Sequence, residues 1–358
     1  MDGTVKMARD YVPFITLTRS SGTPGVPCAT RRRLIVRLRN WVGDVTLAVP
    51  LLRRLDDAGF DLQLIGKGWA RELLAGHGWP VHVLPKTMAE RVTLLRRLKA
   101  EAQAVDAGSG RRVNALCLPD SFSSALEFRL AGLRALGHAH EGRSLLLARA
   151  LPRPRTLHAL QVYWQMGDAL LGAAAPLPDC IGLRVSDAHH AEAHALRSAH
   201  GIAAGSIFIC PFAGGTWARQ DKTWPGFPAF AAQVLPGFGR RVVVCPGPGE
   251  ADLAQQHFGS ATVLNGVGLG VYAALLQDAA LMVANDTGPG HMAAAVGAPL
   301  VSVLGPSDPA LWRAWGPTVQ LVQRVQPVQP VQQRMGEDAW PAPEAVAQAV
   351  QRALATGE

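Results

Sequence analysis

At 358 residues the chain exceeds what one hydrophobic core usually serves, so two domains are expected. Its 48% hydrophobic and 17% charged residues exclude a disordered chain, and no apolar run approaches the roughly 20 residues of a membrane-spanning helix. The net charge of +8 is unevenly spread: residues 31–180 hold 22 basic against 13 acidic side chains, and residues 200–358 hold 8 against 10. Such asymmetry suggests that the halves bind different things, although arginines that only solubilise helix faces would produce it too. No aromatic-interleaved basic stripe or nucleic-acid module is present, so an anionic acceptor at a membrane surface fits the basic half better than nucleic acid. The five cysteines, Cys28, Cys117, Cys180, Cys210 and Cys245, lack C-x-x-C spacing, which points to reduced thiols in the cytoplasm over disulfides or a zinc site.

Residues 1–30 carry Lys6, Arg9 and Arg19 without an apolar core of signal-peptide type, and read as a loose, poorly ordered extension or an upstream start. From there strand-like and helical patterns alternate, the rhythm of a parallel α/β sheet. Strands are expected at 34–38, 62–65 and 115–118, with one helix after Asp44 and another over 88–105. The second helix gathers Met88, Val92, Leu95, Leu98 and Ala102 on one face and spreads Arg91, Arg96, Arg97 and Lys99 elsewhere, which suits a core-packed helix or one lying on a membrane. A Pro/Arg-rich stretch at 151–156 leads into a helix over 157–171, and 173–178 reads as a linker. The alternation restarts with strands at 207–210, 241–245, 261–264, 281–284 and 300–304 and a helix at 271–279. Val-Gln pairs then repeat every three residues from Val319 to Gln332, a period that suggests an extended connector, and a last helix is expected over 343–354. Two successive open α/β units would bring the carboxyl ends of their strands to a shared cleft, where ligands of such sheets bind.

Three blocks at predicted strand ends carry candidate chemistry. Asn285-Asp286-Thr287-Gly288-Pro289-Gly290-His291 ends an apolar strand and opens a small-residue helix, capped by Asp286 or Thr287. The first-turn N–H groups and the helix dipole there favour an anion such as a diphosphate. Asp44 follows Gly43 after the first strand, and serves either as a base facing the cleft or as a helix cap. Lys222, within Asp221-Lys222-Thr223-Trp224-Pro225, supplies a flexible cation. Other candidates are weaker. Asp120 and Glu127 have no carboxylate partner at a telling spacing, and Gly266-Val267-Gly268-Leu269-Gly270 departs from G-x-G-x-x-G and reads as a turn. His189, His190, His194 and His200 read as a solvated helix face rather than a metal site.

These blocks resemble the heptosyltransferase family, glycosyltransferases that add ADP-heptose to the inner core of lipopolysaccharide. The likeness rests on Asp286 to His291, on Gly305-Pro306-Ser307-Asp308-Pro309 with Trp312-Arg313-Ala314-Trp315-Gly316-Pro317 behind it, and on the Lys222 block. Cys245-Pro246-Gly247-Pro248-Gly249-Glu250 and the stretch from Leu34 to Val45 add to it, and Asn40-Trp41-Val42-Gly43-Asp44 resembles the heptosyltransferase II branch. The Val-Gln stretch departs from the family, which often carries a Cys-rich turn there.

The resemblance implies an α/β fold of the GT-B kind, two Rossmann-like domains with a cleft between them. Here that means an acceptor-binding domain over 31–178, a nucleotide-sugar-binding domain over 179–335, and a C-terminal helix within 336–358 that returns to the first domain. It also implies inverting transfer with no metal and no cofactor. Asp44 would be the base, Lys222 with Thr287 and Gly288 would stabilise the departing diphosphate, Glu250 would hold the ribose, and backbone near Val267 the adenine. Asp286 and His291 would orient the phosphate loop, contact the sugar or simply shape the turn. The partners would be ADP-heptose and an anionic lipid A-core acceptor at the inner face of the inner membrane. A transferase with another donor or acceptor, or a non-catalytic nucleotide-binding module of this fold, would show similar blocks. Retention of Asp44, Lys222 and Glu250 together speaks against the last.

Overall fold

A computed structural model describes residues 31–105, 112–214, 216–217, 220–305, 307–324 and 340–356. The extension 1–30, Pro306 and the Val-Gln pairs from Val325 onward lie outside the described residues.

The first sheet comprises β1 (Arg32–Arg37), β2 (Phe60–Gly66), β3 (Val81–Val83), β4 (Ala115–Cys117), β5 (Ala135–His138) and β6 (Arg149–Leu151). All pairs are parallel, in the order β3-β2-β1-β4-β5-β6. A second sheet starts with β7 (Ile207–Cys210), which a small antiparallel hairpin follows, β8 (Thr216–Trp217) and β9 (Gln220–Asp221). Then β10 (Val242–Val244), β11 (Thr262–Val263), β12 (Leu281–Asn285), β13 (Leu300–Leu304) and β14 (Val319–Gln323) complete the parallel order β11-β10-β7-β12-β13-β14. Both sheets therefore have the same doubly wound order, with a switch point between β1 and β4 in one and between β7 and β12 in the other.

Around the first sheet lie α1 (Val42–Asp57), α2 (Ala70–Leu73), α3 (Met88–Val105), α4 (Phe122–Leu130) and α5 (Ala159–Leu171). With the second go α6 (Asp187–His200), α7 (Phe227–Gln233), α8 (Ala251–Phe258), α9 (Leu269–Gln277), α10 (Gly288–Ala295), α11 (Pro309–Trp312) and α12 (Pro343–Ala355). A surface helix buries one stripe, but α1 buries Val45, Leu47, Ala48, Val49, Leu51, Leu52 and Leu55, because β2, α5 and α10 surround it. One apolar cluster consequently runs from Leu34 and Leu51 to Met292 and Leu275, so the two units share a core across α1 and α10. This is the two-domain GT-B architecture. The amphipathic helix over 88–105 is packed on its core, with Val92, Leu95 and Leu98 buried against the first sheet.

Two expectations fail. The Val-Gln stretch is not a connector throughout, because Val319–Gln323 pairs in parallel with β13 as the edge strand β14, burying Val322. Five residues satisfy a strand whatever the period of the longer run. Nor does the last helix return to the first domain. Val346, Ala349, Val350 and Ala353 form a helical stripe that packs on β12, β13 and β14, where Trp340 sits over Gly305. Phe227 and Phe230 of α7 and Phe258 of α8 join the same cluster on that face of the second sheet, and α12 covers its β12 to β14 side.

Candidate active site

The two switch points put two helix N-termini against each other. Chain leaving β1 turns through Leu38 to Trp41 and enters α1 at Val42, so Asp44 stands in the first helical turn and not at the cap. There the unpaired N–H groups and the dipole favour its negative charge. Its side chain is 11% exposed. Tyr163 of α5 donates its hydroxyl to Asp44 Oδ1 at 2.7 Å, and Arg39 Nε forms an ion pair with the same oxygen at 3.6 Å. Burial raises the Tyr163 phenol pKa and the Asp44 charge raises it further, which keeps the hydroxyl a donor.

Arg39 reaches past Asp44. Its Nη2 donates to Asp120 Oδ2 at 2.5 Å, Arg153 Nε lies 3.0 Å from that oxygen, and His138 Nδ1 lies 3.7 Å from Asp120 Oδ1. Burial alone would push Asp120 up, but the His138 contact and the two guanidinium charges hold it well below the usual carboxylate range. Arg39 is raised for the reciprocal reason: burial opposes its charge and is outweighed by Tyr163, Asp44 and Asp120. His138 also lines a cavity of about 560 Å³, together with Arg149, Gln165 and Asp168.

On the facing side, β12 delivers the phosphate-loop candidates. Asn285 is fully buried, donates to Pro211 O at 2.6 Å and accepts from Trp224 N at 3.1 Å, tying β12 to the segment that carries Lys222. Lys222 Nζ then donates to Asp286 O at 2.8 Å and Oδ2 at 3.2 Å. Ser307 Oγ donates to Oδ2 at 2.6 Å, and His291 Nε2 lies 3.8 Å from Oδ1. Burial raises Asp286, yet His291, Lys222 and Ser307 together hold it far below its ordinary value. Thr287 is the cap of α10, its Oγ1 accepting from Gly290 N at 3.3 Å, so the capping role belongs to Thr287 and Asp286 braces the loop. The buried His291 Nδ1 has no partner among the described residues.

Glycine makes the encounter of the two helices possible. A Cβ at Gly43 would stand 2.7 Å from His291 Cδ2, and one at Gly288 would stand 2.7 Å from Val42 Cβ. Asp44, Lys222, Asp286, Thr287, Gly288 and His291 are thus gathered where α1 meets α10. Glu250 and Val267 stand on the loops that follow β10 and β11, at the same end of the second sheet. Glu250 Oε2 accepts from Gly247 N at 2.7 Å and closes its own turn, while half-buried Val267 packs on the shared core before α9.

Sequence reading gave no role to Tyr163, Asn285 or Ser307, set Asp120 aside for want of a carboxylate partner, and met Arg39 only as one of the basic residues of the first half. Asn285 and Ser307 stood inside the recognised blocks, and Asp120 and Arg39 both follow strands of one sheet. Tyr163 carried no signal beyond being an aromatic on an apolar helix. Arg37, by contrast, is buried and spends Nη1 on Leu38 O at 2.6 Å, and Glu127 pairs with Arg91 at 2.9 Å. No group of three His, Cys, Asp or Glu side chains that could hold a metal ion occurs among the described residues.

The family model for glycosyltransferase family 9 (heptosyltransferase) matches residues 112–337, more than half of the chain. The chain belongs to glycosyltransferase family 9. Among solved structures, E. coli ADP-heptose lps heptosyltransferase II is 23% identical with a TM-score of 0.73, the match covering 90% of this chain and 99% of that one. A family 9 glycosyltransferase from Veillonella parvula is 17% identical with a TM-score of 0.74, over 91% and 97% of the two chains. E. coli heptosyltransferase WaaC with ADP is 21% identical with a TM-score of 0.63, over 91% and 100%. At these identities the likeness establishes the GT-B fold. No curated protein sequence matches the chain. Family 9 membership makes this chain a glycosyltransferase by family, and among its described residues no helix is long and apolar enough to cross a membrane.

Proposed function

We propose that the protein transfers heptose from ADP-heptose to the inner core of lipopolysaccharide, with inversion and without a metal ion or other cofactor. One observation carries the reading: a carboxylate in the first turn of α1 and the Thr287-Gly288 start of α10, with Lys222 beside it on Asp286, are packed against each other across glycine contacts. Asp44 takes the proton of the acceptor hydroxyl as its oxygen bonds to the anomeric carbon, and the bond to the ADP oxygen breaks with its electron pair. The Gly288 N–H at the start of α10, the Thr287 hydroxyl and Lys222 receive the charge that develops on the diphosphate. Asp286 and His291 fix that loop, Glu250 takes the ribose, and backbone near Val267 takes the adenine edge.

The donor assignment is supported by family membership and by the ADP-heptose and ADP named for the similar E. coli structures. The acceptor assignment, an anionic lipid A-core, is supported by the excess of basic residues in the first half and by Arg39 and Arg153 beside Asp44 and Asp120. Such an acceptor would hold the enzyme peripherally at the cytoplasmic face of the inner membrane. Single-turnover transfer from ADP-heptose to heptose-free core lipid, with and without EDTA, tests the proposal. Transfer of one heptose at the same rate in both arms is expected. Failure with ADP-heptose but turnover with another nucleotide sugar would overturn the donor, and dependence on added Mg²⁺ or Mn²⁺ would overturn the metal-free scheme.

A further inference from the structure

We infer that Tyr163 is the positioning residue of the proposed base, fixing which oxygen of Asp44 receives the acceptor proton; this rests on Asp44 being that base. Tyr163 is 2% exposed, one turn into α5 behind a capping box at His158, so both its helix and its ring are held by packing. Its hydroxyl spends itself on Asp44 Oδ1, 2.7 Å away, and the Arg39 ion pair falls on that same oxygen. Among the described residues no partner reaches Oδ2. The carboxylate is therefore clamped at one oxygen and free at the other. A free carboxylate rotates about χ2 and presents either oxygen, whereas this one presents Oδ2.

The groups around Asp44 come from four elements. Tyr163 faces it from α5, Arg39 from the β1–α1 loop, Asp120 through Arg39 from the β4–α4 loop, and His291 from α10 with Asp286 and Lys222 behind it. Among the described residues only Tyr163 touches the carboxylate as a neutral donor. Its removal changes the hydrogen bonding of Asp44 without changing the net charge of the cleft.

Tyr163→Phe keeps the ring and deletes the hydroxyl. With ADP-heptose and core lipid, kcat is expected to fall roughly tenfold while the donor and acceptor KM hold, because only the orientation of the base is lost. A double variant with Asp44→Asn is expected to be no slower than Asp44→Asn alone, because the two act through one group. Thermal melting of each variant separates a loss of fold from a loss of the clamp. An unchanged kcat, a fall in kcat matched by a rise in the donor KM, or a Tyr163→Phe effect that multiplies fully with Asp44→Asn, would overturn the inference. If Asp44→Asn itself stays active, the base assignment fails and not merely the role of Tyr163.

Discussion

Gly43 lacks a side chain where His291 occupies the space one would need. The backbone there lies inside van der Waals reach of the imidazole, and Gly288 stands in the same relation to Val42. A methyl added at Gly43 must displace His291 or part α1 from α10, and overpacking of this kind costs about 1–3 kcal/mol. Gly43→Ala is accordingly expected to lower the melting temperature by a few degrees and to reduce transfer far more than that, through His291 and the phosphate loop. Wild-type transfer from a Gly43→Ala protein would mean that the closeness of the two helices does not matter to the reaction. At this scale the sequence was partly legible. Asp44, Lys222 and the Asp286 block stood out through their resemblance to the family's blocks, since a helix cap or an ordinary strand-to-helix turn would explain Asp44 and Asp286 as well. Tyr163 and Asp120 did not, because their partners are 119 and 81 residues away in the chain and nothing local marks them.

Elements rather than single residues join the two domains. α5 is capped by His158, whose Nδ1 accepts from Leu160 N at 3.2 Å and whose Nε2 meets Arg313 O of the second domain at 2.9 Å. The ring must be neutral to do both. Burial lowers its pKa to about 4, further depressed by His291 and Arg313 against the opposing pull of the Arg313 carbonyl. The unfolded chain takes up this proton near pH 6.5 and the folded one does not, so stability contributed by His158 is full above that pH and falls as pH drops toward 4. The loss at the acid end is on the order of 3 kcal/mol. His77, which accepts from Arg184 N at 3.1 Å and is lowered to about 3, adds to it in the same direction. Urea unfolding at pH 7.5, 6 and 4.5 is expected to show this decline, and His158→Asn, which keeps a cap but does not titrate, to flatten it. An identical slope in the variant would remove His158 from the account.

The order of the elements was readable where alternation was strong: 207–210 and 300–304 are strands to the residue. β3, β5 and β6, of three, four and three residues, are too short to show a period and were passed over. β14 was hidden by the repeat around it. The docking of α12 depends on which sheet face lacks a cover, a question that only the assembled fold answers.

Across the whole molecule, charge divides with the domains. The basic half includes arginines with different duties: Arg37 is buried in backbone contacts, Arg96 and Arg97 ride the exposed side of α3, and Arg39 and Arg153 stand at Asp120 by the cleft. Exposed charges are screened beyond about 8 Å at physiological ionic strength, whereas a diphosphate on directed N–H donors is screened less. Raising salt is therefore expected to raise the acceptor KM much more than the donor KM, and Arg153→Ala to do the same while Arg96→Ala does not. Equal salt sensitivity of both constants would reduce the basic half to a solubility feature. Length, alternation and this asymmetry were enough to expect two sheets and a shared cleft, but not to choose which arginines face it.

The division of labour between α1 and α10 is tested most directly by Asp44→Asn, with ADP binding followed by calorimetry and heptose transfer measured on the same protein. The amide keeps the shape of the carboxylate and cannot take the proton, so transfer should fall by roughly 10² to 10⁴-fold while ADP affinity stays within about twofold of wild type. Transfer above half the wild-type rate, or ADP affinity lost in proportion to transfer, would contradict the account.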